Sequence, residues 1–316
     1  MARISYDTVE TLVYDPVAPN RAMTRSALYS MGFRRIETVA SLDAFNEFIM
    51  RRPPDLALCE AQGVEDALCK SIQVVRQGMV AYNPFLVVIV TAWENHNSLV
   101  TRVLNSGADD LILRPFSTSL LESRIQQHVE RRKGFVITSE YVGPDRRREN
   151  GPRAGEDLFT PPNSLKMKAK ERISSEEAAQ RLDTELKAAR ETLTSEKLRR
   201  DAFQICVLWR LMQGYEAKNA KYDVDLERLR HLAKAVSRRA RDTEFEAAIE
   251  WCDGVLSAIE GVELGVDRAA SMHLLGHAAL KLNQVFAADR SQDENLAEID
   301  ATVAVVRARH QTAIAS

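Results

Sequence analysis

Two short apolar runs in this chain end on carboxylates. "TLVYD" (11–15) closes on Asp15, and "LALCE" (56–60) closes on Glu60. Open α/β folds collect their chemistry beyond the carboxyl ends of buried parallel strands. The first question is therefore whether Glu60 is a working acid or the remains of one. Other chemistry-bearing spacings are sparse. His273 and His277 stand four apart on one helix face, a metal-ligand spacing, but no acidic or cysteine partner lies nearby, so no metal is expected. The four cysteines, Cys59, Cys69, Cys206 and Cys252, form no C-x-x-C pair and sit among apolar neighbours, as buried thiols in a reducing compartment do. There is no G-x-x-x-x-G-K-[ST], G-x-S-x-G, G-x-G-x-x-G or H-E-x-x-H motif, and no enzymatic activity is expected.

At 316 residues the chain is long enough for two domains, and 45% apolar residues can fill a core. A net charge of −2 gives no general attraction to nucleic acid or anionic lipid. The N-terminus lacks the apolar centre of a signal peptide, and no run of about 18 apolar residues occurs. A soluble, cytoplasmic protein without membrane contact is expected, with nucleic acid excluded as a main partner.

The elements that must position the acids alternate over the first 130 residues. Strand patterns lie at 11–15, 35–40, 55–59, 85–93 and 110–115. Helix patterns lie at 20–32, 41–52, 65–79, 98–108 and 117–132. Ser41 suits an N-cap, and Ser117 or Thr118 suits another. Gly32 stands at a helix end. The β-branched run "FLVVIVTAW" reads as a central parallel strand. Five βα units in succession predict a five-stranded, doubly wound parallel sheet with helices on both faces.

The pattern then changes. Residues 133–165 mix Gly, Pro, Arg and Asp without period and read as a basic linker. Its "YVGPDRRR" (141–148) could hold phosphate groups or an acidic partner surface, or be a solvated connection. Residues 166–316 are helical in pattern and predict an all-α bundle. Leu182, Leu186, Ala189 and Leu193 recur at steps of four and three, which suits a coiled-coil seam and a homodimer. Further helices are expected near 222–241, 243–260, 266–288 and 293–311.

Residues 9–132 resemble the receiver (CheY-like) domain of two-component response regulators. The resemblance rests on "LVYD", "ALYSMGFRRIETVASLDAF", "PPDLALCE", "VVIVTAW" and above all "GADDLILRPFS", where the family typically reads G-A-D-D-Y-x-x-K-P-F. It implies a flavodoxin-like fold and a phosphorylation site. In the family an acidic pair after strand one binds Mg²⁺, an Asp ending strand three takes the phosphoryl group, and a Thr or Ser and a Lys contact that group. Carried over, Asp15 matches the first acid and Pro16 replaces the second. Glu60 takes the phosphoacceptor position, Thr91 matches the hydroxyl, and Arg114-Pro115 replaces Lys-Pro. Leu111 stands at the usual aromatic switch position.

These departures predict a silent site. Mg²⁺ demands near-octahedral oxygen ligands, and Pro16 removes a carboxylate and a backbone N–H. Glu60 is a methylene longer than Asp, and a misplacement of about 1 Å can cost about 10²-fold in a catalytic step. Arg114 keeps the positive charge but as a planar fork. Two readings of the pair stay open. Glu60 and Arg114 form an ion pair that holds the receiver in one state, or they are neutral drift in a domain kept as a folded platform.

The expected function is that of a pseudo-receiver adaptor in a bacterial phosphorelay, contacting a histidine kinase or a response regulator. One alternative is an active phosphorelay component: "HLAKA" (231–235) approximates the H-x-x-K-G pattern of histidine phosphotransfer bundles, with His231 as phosphate carrier and Lys234 as its cation. Another is a DNA-binding helical output domain.

Overall fold

The structure, a computed structural model, describes residues 4–314 apart from 53, 80–82, 95, 147–157, 171–174, 216–219, 266 and 289. Two compact units divide the chain, residues 1–193 and 194–316.

The first unit opens with five βα pairs: β1 (Glu10–Tyr14), α1 (Ala18–Ser30), β2 (Arg35–Val39), α2 (Leu42–Arg51), β3 (Leu56–Glu60), α3 (Glu65–Arg76), β4 (Val87–Ala92), α4 (Asn97–Asn105), β5 (Asp110–Leu113) and α5 (Thr118–Arg131). The sheet is wholly parallel, in the order β2-β1-β3-β4-β5. This is the flavodoxin-like receiver architecture expected above. The apolar β3 and β4 are buried along their whole length at the centre, whereas β2 with its charged residues takes an edge. Ser41 and Ser117 cap α2 and α5 by accepting from the Ala44 and Leu120 N–H groups.

Side chains alternate across the sheet, and the alternation divides the core. Leu12, Ala57, Cys59, Val88 and Val90 pack with Phe45, Leu68, Ile72 and Val103 of α2, α3 and α4. Val13, Leu56, Leu58, Val87 and Ile89 pack with Leu28, Leu121 and Ile125 of α1 and α5.

Residues 133–165 do not form the plain linker expected from their composition. Residues Phe135–Ile137 (β6) and Val142–Pro144 (β7) form an antiparallel hairpin, and Phe135 also bridges Phe159. The hairpin backbone lies against the turn before β5; a Cβ on Gly143 would come 2.7 Å from the Gly107 Cα, so a larger residue has no room. A short α6 (Ser164–Lys170) buries Leu165 and Ala169 beside the α1/α5 face, and Lys168 pairs with Asp55 at 2.7 Å. Arg147 and Arg148 of the basic motif lie outside the described residues.

The supposed coiled-coil seam is also used within the chain. Helix α7 (Ser175–Met212) begins in the first unit, where Leu186, Ala189 and Leu193 are buried against Phe85, Phe135, Ile137 and Val142, with Leu182 beside them. Their four-and-three spacing serves a helix-on-hairpin contact.

Beneath the hairpin lies a buried charge cluster. Arg76 and Arg132 contact the Asp109 carboxylate at 2.7 and 2.9 Å, and all three side chains are nearly inaccessible. Arg76 further donates to the carbonyls of Gly107, Pro84 and Leu86, and both guanidinium groups face the Phe135 ring. The cluster therefore ties α3, α5, β5 and the hairpin into one body.

The second unit contains the rest of α7 with α8 (Ala220–Ala240), α9 (Ala248–Glu263), α10 (Arg268–Phe286) and α11 (Gln292–Ile314). Ile205, Leu229, Val236, Val255, Ile259, Leu275 and Leu282 form its core. Gly276 passes so close to Trp209 that any Cβ would overlap the indole. Among the described residues no helix is long and apolar enough to cross a membrane.

Burial alone would raise the Asp109 carboxyl, but Arg132 and Arg76 outweigh it and hold it below the usual carboxylate value. Such a group stabilises the fold above its unfolded pKa of about 3.9, and that contribution fades as pH falls through the lower folded value. Asp109→Ala would leave two buried guanidinium groups uncompensated and should cost about 3–5 kcal/mol near neutral pH. Thermal unfolding of both proteins should show the full gap at neutral pH and a narrowing gap below about pH 4.

Candidate functional site

Strand parity explains why the predicted residues meet. Glu60 continues the Leu56, Leu58 series, Thr91 the Val87, Ile89 series, and Asp15 follows Val13, all on the α1/α5 face. The register aligns Glu60 with Thr91, and Thr91 with Ile112. Arg114 follows two residues after Ile112 and reaches the same face. Four residues spread over a hundred positions thus converge at the carboxyl edge of the sheet.

Arg114 is the centre of the group. Its Nε donates to Glu60 Oε2 at 2.7 Å, and its Nη2 donates to Asp15 Oδ2 and Thr24 Oγ1, each at 3.1 Å. The Thr91 hydroxyl donates to the same Glu60 Oε2 at 2.8 Å. Glu60 Oε1 accepts from the Gln62 N–H at 3.1 Å, and Asp15 Oδ1 from the Val17 N–H at 2.9 Å. The side chains are 7% (Arg114), 2% (Glu60) and 1% (Asp15) exposed, so the cage is closed to bulk water. The Phe116 ring lies 4.8 Å from the guanidinium carbon, and the intervening Arg114–Pro115 peptide bond is cis.

The extra methylene of Glu60 carries its carboxylate to the arginine. Every carboxylate oxygen of the cage accepts at least one hydrogen bond, as buried acids require. Burial pushes the Asp15 carboxyl up, and the nearby Glu60 adds to this, while the Val17 N–H and Arg114 pull it down.

A divalent cation does not fit this donor set. Pro16 supplies no ligand, and Asp15 and Glu60 already direct an oxygen each at the guanidinium, which occupies the place where a metal would neutralise them. No step through a metal is derived.

Two contributors were not singled out from the sequence: Thr24, which bonds Arg114, and Phe116, which backs it. Thr24 carries a legible signal, because it lies four residues before Leu28 on the buried face of α1. Leu111 is half-buried against the α2–α4 side of the core. In the second unit His231 and Lys234 are both exposed on α8, and Ala235 is half-buried. His273 and His277 are exposed on α10, with His277 edge-on to Trp251. No group of three or more His, Cys, Asp or Glu suited to a metal occurs among the described residues. All four cysteines are free and buried.

No protein-family model matches the chain, and no curated protein does. Among solved structures, a receiver domain of a Clostridium thermocellum histidine kinase system is 20% identical, with 39% of this chain and 98% of that one covered and a TM-score of 0.35. A response regulator from Thermotoga maritima is 22% identical, with 38% and 96% covered and a TM-score of 0.33. A pilus assembly-related protein from Burkholderia pseudomallei is 12% identical, with 39% and 90% covered and a TM-score of 0.34. These similarities lie in the N-terminal part, and the C-terminal helical region is unmatched.

Arg114→Ala would leave Glu60 and Asp15 facing each other without their cation. Loss of Arg114 removes a downward pull on the Asp15 pKa, which burial already raises. An acid whose folded pKa is raised loses stability as pH rises from its unfolded value through its folded one. The variant should therefore be about 3–5 kcal/mol less stable than wild type at pH 7. The deficit should shrink as the pH is lowered and the Asp15 carboxyl protonates, as thermal unfolding at neutral and at acidic pH would measure.

Proposed function

We propose that this chain is a cytoplasmic signalling adaptor of a two-component phosphorelay, built on a receiver that takes no phosphate. It acts by protein–protein contact with a histidine kinase or a response regulator and carries no enzymatic activity of its own. The observation that supports this most directly is the guanidinium of Arg114 within hydrogen-bond reach of both Glu60 and Asp15. Phosphoryl transfer depends on an in-line acceptor and on metal-neutralised charge, and here the acceptor position is occupied by an ion pair.

The pair also favours one state of the receiver. By the family resemblance, the hydroxyl after strand four and the cation after strand five contact the phosphoryl group. Thr91 and Arg114 instead both reach Glu60 Oε2. The Glu60 carboxylate stands in for the phosphorylated acceptor and keeps both side chains drawn inward.

A second reading places phosphotransfer on His231. It is favoured by the joint exposure of His231 and Lys234 one helical turn apart on α8. Radiolabel on the wild type that disappears in His231→Gln, after incubation with a phosphorylated response regulator, would support it.

Incubating the full chain with a small phosphodonor and Mg²⁺ should leave its intact mass unchanged. The triple variant Pro16→Asp, Glu60→Asp, Arg114→Lys restores the three missing features and should gain an acid-stable, base-labile phosphate. An acyl phosphate on the wild type would overturn the reading. Affinity capture then separates the two roles of the ion pair. The charge-neutral Glu60→Gln, Arg114→Met variant should hold its partner at least roughly tenfold more weakly if the pair sets the binding state. Unchanged affinity would make the receiver a passive platform.

A further inference from the structure

The opposite end of β5 carries a second polar site that plays no part in the proposal above. A pocket of about 150 Å³ opens between the last turns of α5, the start of β5 and the turn after β7. It lies roughly 13 Å along the strand from Arg114, given the rise per residue of a parallel strand. Arg124, Arg131, Lys133 and Arg146 line it, with His128 and Asp110 in its wall.

The charge balance is unusual for a chain with a net charge of −2. Four permanent cations face two carboxylates, Asp109 and Asp110. Asp109 is already bracketed by Arg76 and Arg132. Asp110 holds Arg124 only at 3.4 Å. Arg131 and Lys133 are exposed and make no hydrogen bond or ion pair with the described residues. Arg146 is anchored through one nitrogen to the carbonyls of Ala108 and Asp109, so it is held at the rim.

Basic residues in a last helical turn complement the helix dipole. That accounts for Arg131, at the end of α5; Arg124 pairs with Asp110 and Arg146 with the carbonyls of Ala108 and Asp109, whereas Lys133 has no such role, and still the four cations converge. Their convergence comes from the hairpin: the β7 turn brings Arg146 of the "YVGPDRRR" motif across to α5. The cavity holds about five water volumes, which suits a tetrahedral anion with a small substituent. Guanidinium and ammonium groups on several sides of such a space are the usual recognition chemistry for phosphate.

We propose that this pocket binds the phosphoryl group of a small soluble phosphate ester, with Arg131 and Lys133 closing on the anion and Arg124 and Arg146 fixing its rear. Arg146 of the basic motif is on this account part of a ligand site carried by the first unit.

Isothermal titration of the full chain with inorganic phosphate and with phenyl phosphate, at about 0.15 M salt, tests the assignment. Both should bind, and Arg131→Gln with Lys133→Gln should weaken binding by at least roughly tenfold. Those two side chains are exposed, so the double variant should unfold at the wild-type temperature. The Glu60→Gln, Arg114→Met variant should bind phosphate unchanged, which separates this site from the proposed lock. Equal affinity of wild type and double variant, or no binding of either probe at about 10 mM, where even millimolar affinity would register, would overturn the proposal. Sedimentation with phosphatidic acid vesicles provides the remaining arm. Vesicle binding lost in the double variant, without binding of the soluble probes, would assign the site to a lipid headgroup and overturn the soluble-ester assignment.

Discussion

One guanidinium between two buried carboxylates sets the terms for the first unit. Asp15 and Glu60 end neighbouring strands on one face of the sheet and are shut away from water. Two acids so placed repel each other, and burial disfavours both charges. Arg114 resolves this with the planar fork that a lysine lacks, giving one nitrogen to each acid. The geometry needs all three strands in register, since a one-residue slip of any would turn its residue to the opposite face. The cage is thus a consequence of the sheet and also a restraint on it.

The other end of β5 is governed by the same physics. Asp109, just before the strand, is bracketed by Arg76 and Arg132, whose remaining donors go to backbone carbonyls of the strand ends. The Phe135 ring lies against both guanidinium groups, and its strand continues into the hairpin. A segment poor in apolar residues is thereby folded by buried charge and aromatic contact more than by periodic burial. The start of α7 then covers the hairpin with Leu186, Ala189 and Leu193. The first unit extends to residue 193 for this reason, well past the end of α5.

The βα alternation was legible because strand and helix periods are local properties, and each strand end could be numbered from it. Positions 15, 60, 91 and 114 followed by resemblance, and strand parity sets their side chains on one face of the sheet. Thr24 and Phe116 were not singled out, since which helix face meets a strand end depends on packing between distant segments. The hairpin was hidden because three-residue strands give too few positions for alternation to register. Leu182 through Leu193 carry a real heptad-like spacing, yet spacing says only that one face is buried. It does not say against what, and here the answer is the same chain.

Whether the Glu60–Arg114 pair is a lock or an accident turns on the cost of burying charge. A buried ion pair is weak evidence of stabilisation, since desolvation can exceed the Coulombic gain and apolar replacements are often as stable. Drift toward a passive platform would therefore face little resistance to replacing the cage with apolar side chains. Both carboxylates are instead fully satisfied: the Val17 and Gln62 N–H groups and the Thr91 hydroxyl donate to them alongside Arg114, which also donates to the Thr24 hydroxyl. What such a network supplies better than apolar packing is a single defined arrangement. That arrangement includes Thr91, whose hydroxyl is held on the same Glu60 oxygen that Arg114 reaches.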